Sequence, residues 1–155
     1  MFIYSVRASG IKFFALAALA LVLILVIVFG SDSVLALSKD GEIELSGIKT
    51  EEDRREFLES LGVRAAAGGP VETVAFVMPE NFDRVMLGYN EIQKAQGFDL
   101  SKYAKKRVTR YTYELENYDG YDGTVYVNLL IYRSRIIGCD ISSADPGGFV
   151  EPLIK

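Results

Sequence analysis

The sequence predicts an α+β domain, an antiparallel sheet of about four strands packed by two helices, behind a single N-terminal transmembrane helix. Three observations lead there. An unbroken apolar run lies near the N-terminus, two later stretches repeat their apolar residues at steps of three and four, and a two-residue period begins beyond Val108. The links between the last three strand-like runs are short, which suits an antiparallel meander with both helices on one of its faces.

Residues 13–29 read FFALAALALVLILVIVF, and the uncharged stretch continues through Gly30 and Ser31. At 1.5 Å per residue, residues 13–31 span roughly 28 Å, close to the hydrocarbon thickness of a bilayer. A core helix would show a polar face, and this run shows none. Arg7 and Lys12 precede it, while Asp32, Asp40, Glu42 and Glu44 outweigh Lys39 after it. The positive-inside bias therefore places residues 1–12 in the cytoplasm and everything beyond Ser31 outside it. The alternative is secretion after cleavage at Ala36, where Val34-Leu35-Ala36 offers tolerated residues, although the run exceeds the roughly 7–15 residues of a usual signal-peptide core. Residues 32–47, small and acidic without a sustained period, read as a stalk, and residues 48–155 as the extracytoplasmic domain.

Within that domain Thr50 caps a helix whose first turn is Glu51, Glu52 and Asp53, with Phe57, Leu58 and Leu61 as its apolar stripe and Gly62 as its stop. Residues 71–78 are valine-rich and read as a strand ending at Pro79. Phe82, Val85, Met86, Tyr89 and Ile92 mark the inner face of a second helix, closed by Gly97, with Asp83, Arg84, Asn90, Glu91 and Lys94 on its other faces. In the next strand Thr109, Tyr111, Tyr113 and Leu115 alternate with Arg110, Thr112, Glu114 and Glu116. The turn-rich segment 117–123 leads to a nearly continuous apolar strand over 124–132, which suits a central position. A tight Arg133-Ser134-Arg135 connection leads to a strand over 136–141, and the tail with Pro146, Gly147, Gly148 and Pro152 reads as irregular.

Composition narrows the chemistry. The chain has no histidine, one cysteine and a net charge of −4. That removes His-based nucleophile activation, imidazole metal sites and any disulfide within the chain. Arg7 and Lys12 are the only charges before Asp32, so the remainder sets fifteen cations against twenty-one acids, a net −6 that disfavours nucleic acid. No cofactor or metal site is expected. The acid pairs Asp119/Asp122 and Asp140/Asp145 lack the spacing of a calcium loop.

The candidate ligand-binding residues fall in two groups. Tyr118 and Tyr121 sit in the glycine- and aspartate-rich loop, while Tyr89, Tyr111, Tyr113 and Tyr126 are assigned to the core. Lys102, Lys105, Lys106 and Arg107, followed by Arg110, form the one basic cluster, a match for an anionic wall polymer, lipid headgroups or an acidic protein. Without histidine, catalysis would fall to carboxylates, with Asp99, Glu114, Glu116 and Asp140 as the acids of a hydrolase acting on wall polysaccharide. Ser101 or Ser134 beside a lysine or arginine lacks a supporting motif, and Cys139 among Ile136, Ile137 and Ile141 reads as buried and inert. The leading expectation is thus a non-catalytic module that binds or senses something at the cell surface, anchored in the lipid bilayer through residues 13–31.

The segments YNEIQKAQGFDLSKY at 89–103, RYTY at 110–113, Asn117-Tyr118 and IIGCDI at 136–141 resemble domain-of-unknown-function family 4830 over roughly residues 52–149. The resemblance implies a bacterial, mostly Gram-positive protein, often carried behind one membrane helix, and it supplies no activity and no catalytic residues. Cys139 stands where the family pattern leads one to expect a second glycine after Gly138.

Overall fold

A computed structural model describes residues 43–116 and 118–154. The expected transmembrane segment 13–31, the N-terminal residues 1–12, the alternative cleavage site at Ala36 and most of the expected stalk lie outside the described residues. Among the described residues, no helix is long and apolar enough to cross a membrane.

The compact unit Glu44–Lys155 contains helix α1 (Glu51–Ser60), strand β1 (Glu72–Val77), helix α2 (Arg84–Lys94), a short 3-10 helix (Leu100–Tyr103), and strands β2 (Arg107–Glu114), β3 (Val125–Tyr132), β4 (Arg135–Ser143) and β5 (Val150–Pro152). The five strands follow chain order across the sheet, each antiparallel to its neighbour. The expected meander is therefore present, with one strand more than the anticipated four. The extra strand, β5, covers only residues 140–142 of β4 and ends at Pro152. Three residues bounded by a Gly-Gly turn and a proline carry too little periodicity to be read in advance.

Thr50 caps α1 as expected, and the box is complete: the Thr50 hydroxyl accepts the Asp53 N–H while the Asp53 carboxylate accepts the Thr50 N–H. The helices differ from expectation in one respect: they lie on opposite faces of the sheet. Alternation sends odd and even residues of β2 to opposite sides. From α1, Arg54 lies over the Tyr111 ring and donates to the Tyr113 hydroxyl, both odd positions. From α2, Met86 and Tyr89 pack on the cluster that includes the even-numbered Val108 and Leu130. The physical reason lies in β3, which carries apolar side chains on each face, Val127 and Leu129 on one and Leu130 on the other, and these require cover on both. Val127, Leu129, Leu130 and Ile131 are all buried.

The inner face of α2 is also rotated from the expected stripe. Val85 is 79% exposed, whereas Asn90 and Gln93 are buried. The Asn90 amide oxygen accepts the Leu100 N–H at 2.8 Å, so a polar residue is buried because it closes the start of the 3-10 helix. Gly138 faces this helix so closely that a Cβ would meet Gln93 and Leu100, while its neighbour Cys139 is itself fully buried.

The segment before α1 is joined to the sheet. Ile136 N–H donates to the Leu45 carbonyl at 2.8 Å and Ile48 N–H to the Ser134 carbonyl at 3.0 Å, so residues 45–48 run against the start of β4.

Candidate functional site

The sheet register aligns Glu72, Thr112, Asn128 and Asp140 in one row across β1 to β4, on the face that α2 covers. Strands stand about 4.8 Å apart, so neighbouring members of the row can touch. The Thr112 hydroxyl donates to the Asn128 amide oxygen at 2.7 Å. The Asn128 amide nitrogen donates to the Asp140 carboxylate at 2.8 Å and lies 3.1 Å from the Ser142 hydroxyl. The Tyr89 hydroxyl donates to the other Asp140 oxygen. Burial raises the Asp140 pKa from its ordinary value, against the lowering effect of Tyr89 and Asn128. It also holds Tyr89 well above the ordinary phenol value, with the Asp140 charge adding to the shift. Arg110, one row along, pairs with Glu72 at 2.6 Å. Both Asp140 oxygens are thus engaged within the fold, and the bonded row ties three strands, β2 to β4, to a helix.

The other carboxylates named on sequence grounds are scattered. Asp99 caps the 3-10 helix through Ser101, whose hydrogen bond leads the causes that lower its pKa. Glu114 and Glu116 are exposed at the far end of β2. Ser101 donates its hydroxyl to Asp99. Burial pushes the Cys139 thiol up to about 12.

Of the core tyrosines, Tyr113 is fully buried, its hydroxyl accepting from Arg54 at 2.7 Å and donating to Glu51 at 2.9 Å. Burial is the main cause that pushes its pKa up to about 12. Tyr89, Tyr111 and Tyr126 are half-buried.

The loop pair behaves differently. Tyr118 and Tyr121 converge on Phe149: Tyr118 stacks on its ring at 5.4 Å between centroids, and Tyr121 meets it edge-on at 5.2 Å. Both separations lie in the attractive range for ring pairs. The Tyr121 hydroxyl donates to Asp145, the main reason its pKa is raised, and the Tyr118 hydroxyl points at Glu151. Backbone geometry sets this meeting. Ala144 N–H donates to the Thr124 carbonyl, joining the β2–β3 and β4–β5 loops, and Ser143 Oγ accepts the Phe149 N–H at 3.1 Å. Gly123 lies directly under the Tyr121 ring, where a Cβ would collide. Sequence reasoning missed Phe149, the ring that organises the other two. Its place between Gly147-Gly148 and Pro152 made it look like tail.

The basic residues gather at the opposite end of the sheet. Lys105 and Lys106 lead into β2, whose first residue, Arg107, pairs in register with Val77. The antiparallel pairing of β2 with β3 brings the β3–β4 turn, with Arg133 and Arg135, to the same end. Lys102, Lys105, Lys106, Arg107, Arg133 and Arg135 are all exposed. Lys105 is paired with Glu80 at 2.7 Å. The two groups of candidate residues are therefore not one surface, because the length of β2, about 24 Å, lies between them.

A family model for a domain of unknown function, DUF4830, matches residues 57–141. The chain belongs to this family, DUF4830. The matched segment runs from Phe57 in α1 to Ile141 in β4 and so includes Tyr118, Tyr121 and the basic residues. Phe149 and Asp145 lie beyond the DUF4830 match. No curated protein and no solved structure matches the chain.

Proposed function

We propose that this DUF4830 protein is a non-catalytic binding or sensing module, held at a membrane by residues 13–31 with its N-terminus in the cytoplasm and its domain outside. The convergence of Tyr118 and Tyr121 on Phe149 carries the reading. Three rings from two separate loops are held together by mutual contact at one end of the sheet, giving contact area at low entropic cost. Asp145 and Glu151 face the two hydroxyls, and Asp119 and Asp122 flank Tyr121 in the chain. This rim suits a polypeptide partner with cationic groups, and it repels an anionic polymer. The buried, internally engaged Asp140 and the fully buried Cys139 fit a structural use of the groups best suited to chemistry.

The test is affinity capture with the full-length protein from detergent-solubilised membranes, comparing wild type with the Tyr118→Ala/Tyr121→Ala variant. The proposal expects a partner retained by the wild type and lost by the variant. Identical retention by both would remove the surface.

The alternative, a carboxylate-dependent hydrolase of wall polysaccharide, draws support from the raised pKa of Asp140, a property of general acids. It expects release of soluble sugar by the wild type and none by Asp140→Asn.

A further inference from the structure

The domain is electrically polar along its strands. The six cations Lys102, Lys105, Lys106, Arg107, Arg133 and Arg135 lie at the end where β2 and β4 begin, and they outnumber the acids beside them: Glu80, which pairs with Lys105, Glu44 near Arg135 and Asp99 near Lys102. The opposite end carries Glu114, Glu116, Asp119, Asp122 and Asp145 in and around the β2–β3 and β4–β5 loops. The chain enters at the cationic end: Leu45, Ser46 and Ile48 pair with residues 134–136, at the β3–β4 turn itself. Only thirteen residues, 32–44, separate Leu45 from the end of the uncharged stretch at Ser31, a reach of at most about 45 Å.

We infer that the cationic end docks on anionic lipid headgroups, leaving the Tyr118/Tyr121/Phe149 end directed away from the bilayer. The inference rests on the membrane anchor proposed above and adds a second lipid contact and an orientation to it. Entry point and charge agree. The end nearest the anchor in sequence is the one a negative surface attracts, and the far end is the one it repels. A few cations supply only a screened attraction, but tethering holds them at high local concentration beside the surface. Tyr103 and Tyr132, in edge contact at 5.6 Å, brace the cationic end, so its charges are presented by packed structure and not by a loose tail.

The experiment places a fluorophore on the full-length protein at Ser101→Cys or Asp122→Cys, in vesicles of phosphatidylcholine with or without phosphatidylglycerol and carrying a headgroup acceptor. Native Cys139 is fully buried and leaves the labelling specific. For a domain about 30 Å across, transfer from position 101 should exceed transfer from position 122 about twofold in the anionic vesicles. The excess should vanish without phosphatidylglycerol, in the Lys105→Glu/Lys106→Glu/Arg107→Glu variant, and at about 1 M salt, where the Debye length is about 3 Å. The salt arm uses the natural charges, so it stands even if the variant misfolds. Equal transfer from the two positions in anionic vesicles would overturn the inference. Transfer between copies labelled at 101 and at 122 would overturn it in favour of head-to-tail pairing of the two ends. Failure of the protein to float with vesicles of either composition would remove the anchor itself, and the inference with it.

Discussion

The amide oxygen of Gln93 accepts the Cys139 N–H at 2.9 Å, so a side chain of α2 occupies the edge of β4 that β5 leaves open. Gln96 continues the substitution: its nitrogen donates to the Cys139 carbonyl at 2.8 Å, and its oxygen accepts the Ile154 N–H at 2.9 Å. Two glutamines thereby complete a sheet edge that would otherwise leave buried backbone groups unpaired.

Replacing Gln93 with leucine orphans a buried N–H, a loss of about 1–3 kcal/mol. Part of this is offset, because the Gln93 amide nitrogen is itself buried without a partner and would no longer be desolvated. The net expectation is a loss of about 1 kcal/mol in urea denaturation, with faster hydrogen exchange at the Cys139 amide than at Leu129. Unchanged exchange at Cys139 would contradict the edge-completing role.

The Thr50 cap is a second local device. Thr50→Ala should lower stability by about 1 kcal/mol by freeing the Asp53 N–H. Thr50→Ser should retain most of it. Equal losses in the two variants would show that the hydroxyl is not the source.

Two carboxyls give opposite pH dependences. Burial raises Asp140 in the fold, so its contribution is fully present below its unfolded pKa, near 3.9, and is lost as pH rises through the folded value. Asp53 is lowered, first by the backbone N–H of Thr50 and then by that of Lys49. Its contribution is present above the unfolded pKa and is lost as pH falls through the folded one. Melting temperatures between about pH 3 and pH 7 should therefore show Asp140→Asn gaining relative to wild type as pH rises. Asp53→Asn should lose its acid-side dependence. A constant offset for Asp140→Asn across that range would refute the shift.

Gly148 has no room for a side chain, because a Cβ would collide with the Ser143 side chain that accepts the Phe149 N–H. Gly148→Ala should displace Phe149 and weaken near-ultraviolet tyrosine dichroism, at a stability loss of about 1–3 kcal/mol. An unchanged near-ultraviolet spectrum would mean that the rings do not depend on this turn.

Much of this architecture is legible in the residues. Thr50, Pro79 and Gly97 mark element ends by their backbone chemistry, and the alternation from Val108 and the apolar run of β3 mark strands. What escaped reading depends on partners distant in sequence. Asn90 and Gln93 look solvent-facing until the backbone groups of Leu100 and Cys139 are brought to them. Phe149 has meaning only beside Tyr118 and Tyr121. The helices occupy both faces because β3 buries apolar residues on each, a consequence contained in its composition but not in the spacing of its neighbours.

The most direct test of the central claim, that the Tyr118/Tyr121/Phe149 end receives a partner, is site-specific photocrosslinking in intact membranes. Benzoylphenylalanine is placed at Tyr118 or, as a control, at exposed Glu59 on α1. The account predicts a discrete adduct from position 118 that is absent from position 59. No adduct at 118, or equal adducts at both positions, would contradict it.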